Sequence, residues 1–191
     1  MKALVTFLIA FVFVLGAYAQ EESGQLSPKE LKKLQKEQRK AEKAAEAERM
    51  AEITMNMVEQ HQFVLEADFL SDKYGQRAPV TPTINFILID SLTGTVQFGD
   101  AARIGYNGVG GATVDGRITK YEYSTVGKNK DSYSVRMIFM SSIGTYDITM
   151  MVNSLGSADA SIRGNWSGQL NYHGRLVPLT LSRIYKGTPI L

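Results

Sequence analysis

Three patterns of apolar and polar positions follow one another along this chain. Ala3 to Leu15 is an uncharged, apolar run. From Ser27 to about Gln60 the residues are mostly Lys, Glu, Gln, Arg and Ala, all good helix formers, with no Gly after the start and Pro only at Pro28. From Gln62 onward the period falls to two, as in half-buried strands. The chain therefore reads as 1–19, an export signal; 20–60, a polar segment and charged helix; and 61–191, an antiparallel β domain. The fold class expected is α+β, mainly β: a long N-terminal helix followed by an antiparallel β sandwich or flattened barrel.

The helix has a defined start. Ser27-Pro28-Lys29-Glu30 places a capping serine, a proline at the first helical position and a glutamate three residues after the cap. Continuous to Gln60, the helix would be about 50 Å long. Leu31 and Leu34 begin an apolar seam, but Gln38, Ala41, Ala45, Glu48 and Glu52 continue it at heptad spacing, too polar for a coiled coil. A solvated helix held by ion pairs one turn apart is expected there. Near its end Met50, Ile53, Met57 and Val58 make an apolar face expected to pack on the β domain.

In the β domain, Phe63, Leu65, Ala67 and Phe69 alternate with Val64, Glu66 and Asp68. A loop is expected over 71–83, a central strand over 84–89, a turn at Asp90–Gly94 and a strand at Thr95–Phe98. A glycine-rich segment, Gly105 to Gly116, leads into a strand over 117–126. Tyr133, Val135, Met137 and Phe139 share one face; Tyr146, Ile148, Met150 and Val152 share another; Ala158, Ala160, Ile162 and Trp166 follow. One or two strands are expected between Leu170 and Tyr185. Short strands at this spacing suit a sandwich or a barrel.

The apolar opening segment carries Lys2 before it and Ala17-Tyr18-Ala19 after it, the layout of a cleavable secretory signal. A retained anchor is the rival reading, but the run is shorter than the ~20 residues that span a bilayer core. The chain contains no cysteine, which closes the lipoprotein route and leaves no disulfides. An exported domain without disulfides fits a Gram-negative periplasm, stabilised by burial over roughly 130 residues. The formal charge is +2, or +1 without Lys2, so no strong attraction to nucleic acid or anionic membrane is expected.

Candidate chemistry is sparse. The two histidines, His61 and His173, fall in no metal-ligand spacing, and a surface or strand-edge role is the reading preferred for both. There is no Gly-x-Ser-x-Gly elbow and no thiol, so no catalytic, cofactor or metal residues are assigned. Gly105-Tyr106-Asn107-Gly108-Val109-Gly110-Gly111 matches neither phosphate-loop spacing; glycines serving close packing or positive φ explain it better, although such a loop can rim a site. Tyr121 and Tyr123 share a face with Thr119 and Thr125, opposite Lys120 and Glu122. If that face lined a barrel, it would make an amphipathic pocket. Tyr106, Asn107, Tyr121 and Tyr123 are accordingly the candidate ligand or loop surface. Asn165-Trp166-Ser167 matches a glycosylation acceptor, to which no meaning is attached in a bacterial exporter.

Phe63-Val64-Leu65-Glu66-Ala67 after a charged helix, Ile104-Gly105-Tyr106-Asn107-Gly108, the Tyr146 strand leading to Leu155-Gly156-Ser157-Ala158, and Tyr172-His173-Gly174-Arg175-Leu176 together resemble the exported bacterial domain of unknown function 4251. The resemblance runs from about Gln60 to Tyr185, with extra glycines at Gly110 and Gly111. It implies a Gram-negative exported β domain and supplies no catalytic residues. Two functions are expected: a non-catalytic periplasmic module holding a small apolar ligand or a protein segment, or a structural protein docking through its charged helix.

Overall fold

A computed structural model describes residues 27–103, 105–128, 131–164 and 168–190. The expected signal over 1–19 and the expected inward position of Trp166 lie outside the described residues. The chain divides into two units, Met1–Glu42 and Lys43–Leu191.

In the first unit the described residues open helix α1, Pro28–Gln60. The capping box forms as its chemistry requires: the Ser27 amide donates to Glu30 Oε2 at 2.8 Å, and the Glu30 amide donates to Ser27 Oγ at 3.3 Å. The bond from the Ser27 amide holds the Glu30 carboxyl below its usual range. Every residue from 27 to 42 is exposed, Leu31 and Leu34 included.

In the second unit the last turns of α1 bury Thr54, Met57 and Val58, with Ile53 packed beside the core. His61 then adopts φ 55°, a left-handed conformation that ends the helix and turns the chain into the first strand. Among the described residues nine strands follow: β1 Gln62–Ser71, β2 Arg77–Pro79, β3 Phe86–Asp90, β4 Thr93–Phe98, β5 Ala112–Val126, β6 Ser132–Ser141, β7 Gly144–Asn153, β8 Ser157–Arg163 and β9 Gln169–Val177. The expected 71–83 loop thus holds the short β2 and a 3-10 turn, Pro82–Ile84. The turn at Asp90–Gly94 tightens to a two-residue hairpin, with Ser91 at φ 56°. Of the one or two strands expected between Leu170 and Tyr185 one forms, β9, and an irregular tail follows Pro178.

All neighbours pair antiparallel in the order β2-β1-β3-β4-β5-β6-β7-β8-β9, and β1 also pairs β9. That last pairing decides between the two expected architectures. It closes β1 and β3 to β9 into an eight-stranded barrel, with β2 added to the outer end of β1. The closure is tight: a Cβ on Gly174 would collide with the Glu66 carbonyl oxygen, so only glycine fits there.

Two bulges reset which side chains face inward. On β5 the register shifts between Ile118 and Lys120, so Ile118 and Tyr121 both belong to the inner face and Thr119 is the extra residue. On β1 it shifts between Ala67 and Phe69. Phe63, Leu65 and Ala67 are fully buried as the alternation predicts, but Phe69, expected with them, is 43% exposed. The barrel interior is packed by Phe63, Leu65, Met137, Phe139, Ile148, Met150 and Tyr172.

Candidate functional site

The two ends of the barrel differ. At one, the last turns of α1 act as a plug. Tyr121 lies on the inner face of β5, stacks on His61 with ring centroids 3.7 Å apart, and donates from its hydroxyl to the Val58 carbonyl at 2.9 Å. Burial raises the Tyr121 phenol well above its ordinary range and lowers the His61 imidazole. Tyr123, 42% exposed, donates to Glu59 at 3.3 Å. The Tyr121/Tyr123 face therefore holds the helix in place, and the pocket expected beside it is filled by the plug.

At the other end an open apolar cavity of about 280 Å³ enters the barrel. Val96 and Phe98 of β4 and Ala112 and Val114 of β5 line one side. Phe139, Ile143 and Tyr146, around the β6–β7 turn, and Ile162 and Leu170 of β8 and β9 line the other. These are the inward positions of strands β4 to β9 at one end, a side-chain set fixed by the period of two. The mouth itself shows apolar surface, with Phe98 42% and Ile143 47% exposed.

The glycine-rich segment belongs to this end. It joins the last lining residue of β4 to the first of β5. Tyr106 is fully exposed, whereas Asn107 is buried and spent on the loop: Oδ1 accepts from the amides of Val109 and Gly111, and Nδ2 donates to Thr113 Oγ1 at 3.0 Å. Gly110 takes φ 75°, which a side chain would strain. The loop that the sequence singles out thus lies beside this cavity, while Asn107 shapes it and Tyr121 and Tyr123 sit at the plugged end. The lining residues lacked a signal of their own, since each reads as ordinary core.

A second depression, about 550 Å³, lies on the outer face of β6 to β9 and includes Arg136, Asp147, Asp159, Ser161, Asn171 and His173. Here His173 accepts from or donates to Ser71 Oγ through Nε2 at 2.9 Å, while Nδ1 meets Asp159 Oδ1 at 2.5 Å. Those distances match a nucleophile, base and orienting carboxylate. Ser71, however, is only 5% exposed, is not part of the depression, and already accepts a bond from Asn171 Nδ2 at 3.2 Å. The Ser71 hydroxyl is thus engaged by side chains on both sides. Its evident work is to tie β8, β9 and β1 across the closing seam. The surrounding polar groups are also engaged among themselves: Arg136 forms an ion pair with Asp147, and Arg163 Nε donates to Gln169 Oε1. Although the outer depression is larger, the apolar mouth is the better site, because it is concave and its wall is almost wholly carbon.

Among the described residues no group of three metal-ligating side chains converges, and no helix is long and apolar enough to cross a membrane. The family model described as "Domain of unknown function (DUF4251)" matches residues 44–176. The match begins within α1, in keeping with the place of its last turns in the core. Among solved structures, a DUF4251 family protein from Bacteroides eggerthii DSM 20697 is similar, at 29% identity and a TM-score of 0.58, over 70% of this chain and 90% of that one. A comparison with curated proteins finds no match.

Proposed function

Because the chain belongs to the DUF4251 family, a family without an assigned activity, its function has to be argued from its own geometry, and we propose that it is an exported, periplasmic, non-catalytic module that holds an apolar ligand in the open end of its barrel. The observation that carries this reading is the cavity of about 280 Å³ with a carbon-rich wall and an apolar rim. Small-molecule sites are typically concave and mostly apolar, and eight-stranded barrels have room for one small ligand. Export rests on the sequence of residues 1–19. The non-catalytic part rests on the covered Ser71 hydroxyl.

The test is a titration of the full chain with the neutral dye N-phenyl-1-naphthylamine, followed by fluorescence. Saturable binding to one site is expected, weakened at least tenfold by Ala112→Phe, which fills the cavity, and by Ile143→Glu at its rim. Tyr106→Ala should leave binding unchanged. Equal binding by all variants would place the site elsewhere and end this reading.

A second reading is assembly through α1, favoured by the exposure of Leu31 and Leu34 at 45% and 43%. Deleting residues 20–42 should then lower the mass measured in solution; an unchanged mass would count against it.

A further inference from the structure

We infer that the occupant of the barrel mouth is the end of one unbranched alkyl or acyl chain, carried by an amphiphile whose polar head remains outside. This rests on the binding reading above and narrows it to a ligand class. Three observations converge on it.

The first is size. At about 280 Å³ the cavity is smaller than the range of about 300–1,000 Å³ usual for sites that enclose a whole ligand. A ligand much larger than this leaves part of itself outside. The second is the wall. Val96, Val114, Phe139, Ile162 and Leu170 present carbon; among the described lining residues Tyr146 alone carries a polar side-chain atom, and none is charged. A compact ligand held entirely inside would be oriented by several converging polar groups. A chain end needs none, because burying methylenes is favourable in any rotation about the chain axis. The third is shape. The bore of an eight-stranded barrel is narrow, and here its far end is stopped by α1, so entry is end-on from one side. Phe98 and Ile143 continue the apolar surface out to the rim, where a chain leaving the cavity remains covered until it reaches water.

Linear saturated carboxylic acids of six to sixteen carbons, each below its micelle concentration, test this on the full chain. Binding is followed both by dye displacement and by calorimetry. Affinity should rise about fourfold with each added methylene and then level off once the chain outgrows the cavity. Ala112→Phe should bring the plateau to a shorter chain. Ile143→Glu, in an exposed turn, supplies a second variant should the first disturb folding, and should weaken every acid at least tenfold.

Dye binding without acid binding would overturn the chain inference and leave the apolar site standing. So would affinity independent of length, affinity that rises without a plateau, or equal binding of a cyclic acid with the same carbon count. Failure of both dye and acids to bind would overturn the site itself.

Discussion

Gln97 lies on β4 opposite Val96, where alternation would send a polar side chain to solvent, yet it is fully buried. Its amide is completely satisfied. Nε2 donates to the carbonyls of Ile84 and Tyr185, and Oε1 accepts from Thr113 Oγ1 and the Gly187 amide. Thr188 and Ile190 then donate their amides to Asn107 and Thr113. Residues 182–190 are thereby strapped over the outside of the barrel and against the glycine-rich loop. Gln97→Ala would orphan several buried groups at about 1–3 kcal/mol each before water relieves some of them. A net loss of about 3 kcal/mol is expected in urea unfolding, with faster proteolysis after Pro178. A loss below about 0.5 kcal/mol would mean that the strap is held by something else. None of this was legible from the residue itself: glutamine in a strand looks the same whether it meets water or a folded-back tail.

At the scale of elements, the helix was readable at both ends. The capping box marked its start, and Met57 and Val58 marked the face that packs. What local pattern did not show was how that end is locked. His61 combines a left-handed backbone, a stack on Tyr121 and a carbonyl that accepts the Ser91 amide at 2.8 Å. Burial lowers its pKa, so protonation is easier in the unfolded chain than in the folded one. The stability this group contributes is present above its ordinary value of 6.5 and is lost as pH falls through the lowered value. Melting temperature should therefore drop as the pH is taken from 7.5 to 5. In His61→Asn, which tolerates the left-handed conformation, that part of the drop should vanish. An identical pH profile in the variant would exclude His61 as its source. The bulges belong to this scale as well. Each inserts one residue that moves the inward face from odd to even positions or back. Phe69 was misplaced for this reason, and Ile118 was gained.

For the whole molecule, Tyr172 reports on closure. It is fully buried inside the barrel, and its hydroxyl donates to the Gln97 carbonyl at 3.0 Å. Burial raises its pKa far above 10, as it does for Tyr121 at the plug. Above pH 10 the unfolded chain gives up these two protons while the folded one retains them, so folding stability should fall as pH rises from about 10. A phenolate absorbance titration should show Tyr121 and Tyr172 ionising only as the protein unfolds. Tyr172→Phe should remove one tyrosine from that late step. Full reversible ionisation near pH 10 would mean that the barrel opens readily to solvent.

The sequence by itself determined what depends on neighbours a few residues away: the cap and extent of the helix, the strand periods, the glycine loop at its place between two strands, and the family resemblance. Those signals are local because a turn of helix or a pleat of strand is set by backbone geometry and by side chains within one turn. Only the tertiary structure decided that the strands close into a barrel, which end stays open and which tyrosines are walled in. Closure joins β1 to β9, with Glu66 opposite Arg175 across more than half the chain. Aliphatic side chains lining a cavity and those filling a core have the same chemistry, so the sequence cannot say where packing stops. The end of α1 settles that: its final turns, with Thr54, Met57 and Val58 buried, fill one end of the barrel, and no element of the described chain fills the other.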